Sequence, residues 1–382
     1  MPVVLNYLFY SLLLFKGCFM NNPFIYVSPN DKKEYISSRC SLNRAVAAEL
    51  PVSGIADDIA GMTFKEAFST PVIVEEIRRV SRGFALDLSD IPDADLPKIL
   101  SEGLVSSDAR LRHMAERVTK KFGCRLGMLM LILKTGLPAN RAARDDWDDE
   151  CWEFWRDLDT VILTGGLASS MLGRRFKEYI HSVFDTACVK PYNTMLFENG
   201  RYLGVMGLAQ RLMEDNTSAL VLDMGHTGIK RALVRKAEGE IAGFTPMESL
   251  KSLYMQSRFD SSEDRLYMAI ELHKRIVKII ATSYKEVSGC DKLSDTILVS
   301  IANYVHGGRL NPERGGYAKL CELGADYSVI LEEDLSSELH HRVHVRLVHD
   351  STAAALYFDG IDNAVCITLG TGFGVGFPDI EI

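Results

Sequence analysis

Between residues 109 and 134, apolar side chains recur every three to four positions, at Leu111, Met114, Val118, Phe122 and Leu126. That spacing draws one stripe along an amphipathic helix. Upstream, "FIYVSP" at 24–29 reads as a short strand, and the hundred residues after it read mostly as helices with polar connections. The pattern changes in "DTVILTGGLASS", where a continuous apolar run from Val161 to Leu163 stops at paired glycines and gives way to helix-compatible sequence. A strand, a turn and a helix are predicted there. From Ala219 the period becomes two, interrupted at Gly225, Gly228 and Gly239, as in antiparallel strands joined by tight turns. A long helix is expected next, from about Ser262 to Val287. It carries Leu266, Ala269, Leu272, Ile276, Ile279 and Ile280 on one face, and Glu263 and Asp264 in a first turn that favours acids. "TILVSIA" then supplies another strand, so this half reads strand, strand, strand, helix, strand. No short-period repeat or low-complexity tract interrupts the chain.

Composition narrows the picture. At 382 residues the chain exceeds what one core usefully fills, and two domains are expected. Apolar residues at 47% and charged residues at 25% fit a soluble globular protein. The net charge of −8 argues against nucleic-acid binding, which needs a basic footprint to displace counterions. Eight cysteines, at 18, 40, 124, 151, 188, 290, 321 and 366, form no Cys-x-x-Cys pair. They suggest neither a zinc site nor a disulfide framework, and a reducing cytoplasm fits them best. "VVLNYLFYSLLLF", near the start, is shorter than the roughly 20 apolar residues of a spanning helix. It also lacks the basic leader and small-residue cleavage site of a signal peptide. Translation beginning at Met20 and a genuine buried element are both compatible with it, and membrane association is not expected.

Three stretches carry candidate chemistry. In "DMGHTGIK", 223–230, a strand ends in Asp223 and turns through Gly225 ahead of Thr227 and Lys230. Such a turn can offer backbone N–H groups and a hydroxyl to a phosphate, beside a carboxylate for Mg²⁺; a plain hairpin is the alternative. In "LGTGFGVGF", 369–377, Gly370, Gly372, Gly374 and Gly376 let a ligand approach the backbone and Thr371 adds a hydroxyl. Each glycine in a strand costs roughly 0.5–1 kcal/mol, so a purely structural reading, such as a bulge, needs a compensating contact. In "LVHDSTAAALYF", 347–358, Asp350 sits between an apolar run and a small-residue helix. It can act there as a general base or as the helix N-cap.

Taken with the "TGGLASS" turn at 164–170, these stretches resemble the signatures of the sugar kinase/heat-shock protein/actin superfamily. Within it they are most similar to the sugar kinases of the repressor/ORF/kinase (ROK) group. The resemblance spans about residues 161–377, and residues 20–160 share only helical character. It implies an α/β fold of two ribonuclease H-like, actin- or hexokinase-like lobes around a central cleft. Motif order differs from the family, because the glycine-pair turn at 165 and 166 precedes the first phosphate-type turn and the second nearly ends the chain. A circular permutation accounts for this, and it requires residues near 25 and 380 to be spatial neighbours; complementation between two chains is the alternative. The expected division is an N-terminal extension at 1–19, a nucleotide lobe from 20–217 plus 359–382, and a phosphate and substrate lobe at 218–358.

By that resemblance the cofactors are ATP and Mg²⁺. Asp223 would position the metal, and Gly225, Thr227 and Lys230 would lie near the phosphates. Gly370, Thr371 and Gly372 would form the second phosphate cradle, and Gly165, Gly166 and Leu167 would flank the adenosine. Asp350 would take the proton of the attacking hydroxyl. "SIANYVHGGRLNPERGGYAKL", 300–320, falls where such kinases hold a sugar, which nominates Asn303, Gly316 and Tyr317, or else these residues only shape a loop. His349 stands where relatives often carry a substrate-binding Asn. The implied partners are a small sugar or polyol and a second copy in a homodimer. Several family features are missing: His226 replaces a small residue, and the ROK zinc motif, its G-E-x-G-H segment and a helix-turn-helix leader are absent. The leading expectation is an ATP-dependent carbohydrate kinase. Its rivals are an actin-like ATPase switch and an inactive carbohydrate sensor of the same fold.

Overall fold

The computed structural model describes residues 22–27, 34–198, 200–252, 262–290, 292–313, 315–378 and 380. The apolar stretch at the start, Met20, and the Ser28 and Pro29 end of the first expected strand lie outside them. The front of the chain opens with the hairpin β1 (Ile25–Val27) and β2 (Glu34–Ile36), followed by α1 (Phe64–Ala67), α2 (Thr70–Gly83), α3 (Leu96–Gly103), α4 (Ala109–Thr135), α5 (Pro138–Ala142) and α6 (Asp149–Asp157). Next come β3 (Thr160–Thr164), α7 (Ser170–Thr186), β4 (Asn193–Leu196) and α8 (Leu203–Ala209). A meander follows, β5 (Thr217–Met224), β6 (Gly228–Ala237) and β7 (Glu240–Lys251), then α9 (Ser262–Val287), β8 (Thr296–Ile301), and the two-residue strands β9 (Val305–His306) and β10 (Arg309–Leu310). The chain continues with α10 (Tyr327–Leu339), β11 (His344–His349), α11 (Asp350–Ala355), β12 (Ala364–Leu369) and β13 (Phe373–Gly376).

Helix α4 covers the stripe read from sequence. It starts at Asp108, whose carboxylate accepts the Arg110 N–H, and stops at Gly136 in the left-handed conformation. Its second half, from Phe122 to Leu133, is buried on every side. Helix α7 reaches it closely because Gly123 and Gly127 have no side chain: a Cβ at Gly127 would lie 2.9 Å from Val183.

Two mixed sheets organise the molecule. In the first, the order is β11-β8-β5-β6-β7, with β5, β6 and β7 antiparallel and β8 and β11 parallel to β5. The centres of strands β5 and β8, Ala219–Leu222 and Ile297–Val299, are apolar and buried on both faces, with helices packed against both strands. In the second, the order is β13-β12-β3-β4; β12, β3 and β4 are parallel, and β13 folds back on β12. Strands from the chain's end therefore pair with strands from its middle. One core draws on residues from 24–192 together with 356–380, and another on 220–347. Phe24 and Phe377 stack within the former, ring centroids 6.1 Å apart and 2° from parallel, so the expected neighbourhood of residues 25 and 380 is present.

Helices α8 and α11 cross between the sheets. A Cβ at Gly207 would fall 2.0 Å from the Ala353 carbonyl, and one at Gly376 would fall 2.1 Å from the Ser351 carbonyl. The glycines at 374 and 376 thus have a packing role: they let α11 lie directly on β13. Among the described residues, no helix is long and apolar enough to cross a membrane.

Candidate functional site

The C-terminal ends of the parallel strands β5, β8 and β11 lie side by side, with Met224, Ile301 and His349 in register. Open α/β sheets bind ligands at such ends. Asp223 sits one residue back from this edge with its side chain 9% exposed. Its Oδ1 accepts the Ser300 hydroxyl at 2.9 Å, and its Oδ2 accepts Lys230 Nζ at 2.9 Å. Burial pulls the Lys230 pKa down, but the Asp223 carboxylate, with Asp350 adding to it, outweighs burial and leaves it above the ordinary lysine value. Each Asp223 oxygen has one donor, which leaves lone pairs for a hydrated Mg²⁺. Mg²⁺ typically needs only one or two carboxylates beside substrate phosphates, so the donor set fits. No cluster of three or more metal-binding side chains exists among the described residues.

The turn beyond Asp223 closes with a hydrogen bond from Gly225 N–H to the Gly228 carbonyl, 3.1 Å, and presents His226 and Thr227 to solvent. The Gly225 carbonyl receives the Ser252 hydroxyl at 3.0 Å and the Tyr317 hydroxyl at 3.5 Å. Tyr317 is wholly buried and Gly316 buried beside it, so this pair braces the first turn from within the core. Asn303 is also committed: its amide donates to the Asn311 carbonyl at 3.1 Å and accepts the Asn311 N–H at 2.9 Å.

Asp350 is not the N-cap of α11. His349 occupies the cap, without a side-chain capping bond, and Asp350 is the first helical residue. Its Oδ1 accepts the Ser351 N–H at 2.7 Å and lies 3.3 Å from His349 Nε2. The side chain stays 28% exposed. His349 Nδ1 lies 3.1 Å from the Thr352 hydroxyl, and the imidazole stacks on Tyr304 at 4.5 Å. Burial depresses the His349 pKa against the opposing field of Asp350, which keeps the ring neutral near pH 7. Thr352 and Asp350 thus lie near the two ring nitrogens.

The second sheet brings its own turns together. Gly370 N–H bonds to the Gly372 carbonyl at 3.1 Å, and the space around Gly370 is open. Thr371 is exposed. Asn43, from the front of the chain, clamps this hairpin: its side chain accepts the Phe373 N–H and donates to the Phe373 carbonyl, both at 2.8 Å. Gly165, at φ +93°, lies against the base of the same hairpin, where a Cβ would meet the Leu369 carbonyl at 2.5 Å. Gly166 is exposed with open space around it, whereas the Leu167 side chain is buried in the core, leaving only its backbone for a ligand.

Residues 200–204 join the two sheets' turns. A Cβ at Gly200 would lie 2.6 Å from Thr164 Oγ1 and 3.2 Å from Gly165 N, and one at Gly204 would lie 3.2 Å from the Asp223 carboxyl carbon. Four residues span at most about 13 Å, so the glycine-pair turn and the Asp223 turn belong to one neighbourhood. Asp350 joins them through Ser351, whose hydroxyl would be 2.4 Å from a Cβ at Gly374, on the hairpin's second strand. Arg201, on the joining segment, acts electrostatically on Lys230 and donates to the Ser249 hydroxyl at 3.2 Å. Sequence reading did not single out Ser300, Arg201, Asn43 or Tyr304. Only Ser300 left a signal, a hydroxyl in an otherwise apolar strand.

No family model matches this chain, and no curated protein matches it. Among solved structures, the crystal structure of ethanolamine utilization protein EutJ from Carboxydothermus hydrogenoformans superposes with a TM-score of 0.29 at 13% identity, covering 52% of this chain and 64% of that one. The crystal structure of an exopolyphosphatase-like protein gives a TM-score of 0.26 at 10% identity, covering 66% of this chain and 83% of the other. This chain therefore spans less than two thirds of EutJ. Likenesses this slight carry no argument about activity, and the case for function rests on the geometry above.

Proposed function

We propose that the chain is an ATP- and Mg²⁺-dependent phosphotransferase acting on an alcohol group, with a sugar or polyol as acceptor and Asp350 as general base. In this reading it is built from two ribonuclease H-like lobes, 20–217 plus 359–382 and 218–358, in circularly permuted order. Strand order supports the lobes. Numbered from β5, the first sheet runs 3-2-1-4-5, and numbered from β12 through the chain's front, the second, four-stranded among the described residues, runs 2-1-3-4. The two largest cores support the division apart from Leu356, while smaller clusters around α8 and α11 join the lobes, and the Phe24 and Phe377 stack supports the permutation.

The observation that carries the function is the convergence of three elements on one neighbourhood: the Asp223 turn, the Gly370 hairpin with its Gly165 neighbour, and a partly exposed Asp350 between them. Phosphoryl transfer asks a protein mostly for positioning and charge neutralisation. The hydroxyls of Thr227 and Thr371 and the backbone of their two turns would hold the phosphate tail from two sides, and Lys230 and Arg201 would offset its charge. Mg²⁺ beside Asp223 would supply further neutralisation of the β- and γ-phosphates. Asp350, oriented by Ser351 and His349, would receive the acceptor's proton.

One observation favours a second reading, ATP hydrolysis by a switch protein. Asn303 and Tyr317, nominated for the sugar, spend their polar atoms inside the chain, so fewer groups remain to recognise an acceptor. Measuring ADP release with a panel of sugars and polyols, and without any, separates the two. Acceptor-stimulated release that Asp350→Asn abolishes, with ATP binding intact, supports the kinase. Release indifferent to every acceptor supports the hydrolase, and absence of nucleotide binding removes both.

A further inference from the structure

Strand β13 is an edge of the second sheet, paired with β12 on one side. An edge strand leaves main-chain groups unsatisfied on its open side. At Phe373, directly after the glycine turn, Asn43 fills both: its amide accepts the N–H and donates to the carbonyl, each at 2.8 Å. Asparagine suits the place because its side chain carries the donor and acceptor of a peptide group. On the turn itself, the Thr70 N–H at the start of α2 donates to the Gly370 carbonyl at 2.8 Å. Two elements from the front of the chain therefore hold the turn.

Asn43 also accounts for a glycine. Neither Gly370 nor Gly372 has a positive φ that would demand glycine. A Cβ at Gly370 would meet open space, but one at Gly372 would fall 2.6 Å from Asn43 Oδ1, 3.3 Å from its Cγ and 3.5 Å from its Nδ2. Beyond the chain neighbours of Gly372, the nearest atoms are all Asn43's.

The clamp stands on a fixed support. Leu42 beside it is fully buried, Arg44 pairs with Asp146 at 2.7 Å, and Arg144 donates to the Arg39 and Ser41 carbonyls at 2.8 and 2.9 Å. The same short segment reaches the acceptor side of the cleft. Cys40 Sγ lies 3.7 Å from the Tyr304 hydroxyl, and the Tyr304 ring stacks on His349, next to Asp350. Residues 40–43 thus touch both the Gly370 hairpin and the support of Asp350.

We infer that Asn43 is a positioning residue for phosphoryl transfer, fixing the Gly370 turn relative to Asp350, and that Gly372 is glycine to admit the Asn43 side chain rather than a phosphate. The inference rests on the reading of that turn as a phosphate cradle. Asn43 acts through the turn and not on the nucleotide, so its loss is felt in alignment more than in affinity. A misplacement of about 1 Å can cost about 100-fold in rate.

ADP release by the full chain, with or without an acceptor as the parent requires, tests this. ATP binding by calorimetry and amide exchange of residues 369–377 by mass spectrometry accompany it. Asn43→Ala should lower kcat at least about tenfold, weaken ATP binding severalfold at most and speed exchange in the hairpin. Gly372→Ala, which displaces the same side chain, should do likewise. In the double variant, Gly372→Ala should slow turnover less than about twofold beyond Asn43→Ala, because the obstacle is gone. Should Asn43→Ala not fold, Asn43→Ser, which also shortens the side chain, takes its place in the cycle. A parent without ATP turnover removes the phosphotransferase reading and this inference together. With an active parent, the inference alone is overturned if Asn43→Ala keeps kcat within about twofold, even with faster exchange, or if its loss is all in ATP binding. It is overturned equally if Gly372→Ala slows turnover as much without the Asn43 side chain as with it.

Discussion

The Asp223–Lys230 pair gives the sharpest test of the site's construction. Lys230→Met keeps the length of the stem and deletes the charge, leaving a carboxylate that is 9% exposed with the Ser300 hydroxyl as its remaining close donor. Breaking a buried pair by removing one partner costs about 3–5 kcal/mol. Here the lysine side chain is 31% exposed, so water can take up part of its role, and the expected loss is about 2–3 kcal/mol. The double variant Asp223→Asn with Lys230→Met removes both charges and should lose about 1 kcal/mol or less, about 1–2 kcal/mol less than the single variant. Urea unfolding measures both, provided the slope with denaturant is unchanged. The pH dependence supplies an internal check. Because the folded pKa of Lys230 lies above the ordinary lysine value of 10.5, the stability it contributes is fully present below that value. It is lost only as pH rises through the folded pKa, so the deficit of Lys230→Met should be constant from pH 6 to about 9. A single variant within about 0.5 kcal/mol of the parent, or a double variant as damaged as the single, would refute the buried-pair account.

Three further outcomes are expected. Gly376→Ala, whose Cβ would lie 2.1 Å from the Ser351 carbonyl, should lose about 2–3 kcal/mol of unfolding free energy in urea. Gly370→Ala, in open space, should unfold within about 1 kcal/mol of the parent yet bind ATP more weakly if the hairpin cradles phosphate; equal binding would count against the cradle. The Arg79 hydrogen bond lowers the Glu76 pKa to about 2 against opposing burial, with Lys121 adding to it. The stability Glu76 contributes is therefore complete above its unfolded value near 4.5 and falls as pH drops toward 2. Comparing acid unfolding of Glu76→Gln with the parent should show about 1–2 kcal/mol less loss over that window, allowing for the exposure of Arg79.

What the sequence made legible follows a physical division between local and distant causes. The meander, α9 and β8 were readable because period two and period 3.6 are set by each element's own burial, and the bounds of α9 coincide with its apolar stripe. Helix α4 was readable over 109–134 from a stripe that lies mostly in its first half, although the stretch from Phe122 to Leu133 is buried all round and carries no polar face. Asp350 was ambiguous because N-cap preference is a local tendency, whereas here the cap position falls on His349, at the end of a strand fixed by its register with β8. Gly370, Gly372, Gly374 and Gly376 looked equivalent in sequence. They divide into two at an open turn and two under α11 because that helix, some twenty residues earlier, lies over half of them.

The joining segment shows how such a distant cause can still be read. Gly204 and Gly207 stand three residues apart on α8, the spacing of one helical face, and Gly200 lies in the short helical turn before it; each meets a different partner: Gly200 the Thr164 and Gly165 turn, Gly204 the Asp223 carboxylate, and Gly207 the α11 backbone at Ala353 and Tyr357. A side chain at Gly204 would press on the carboxylate that Lys230 and Ser300 hold, and one at Gly207 would push α11, and Asp350 at its start, away. These small residues therefore set the distance between the acid of the first turn, the glycine pair of the second sheet and the proton acceptor proposed between them. A face of glycines in a short, otherwise apolar helix marks close backbone approach even where the approaching element cannot be named from sequence. In this chain that face lies where both sheets and both crossing helices meet.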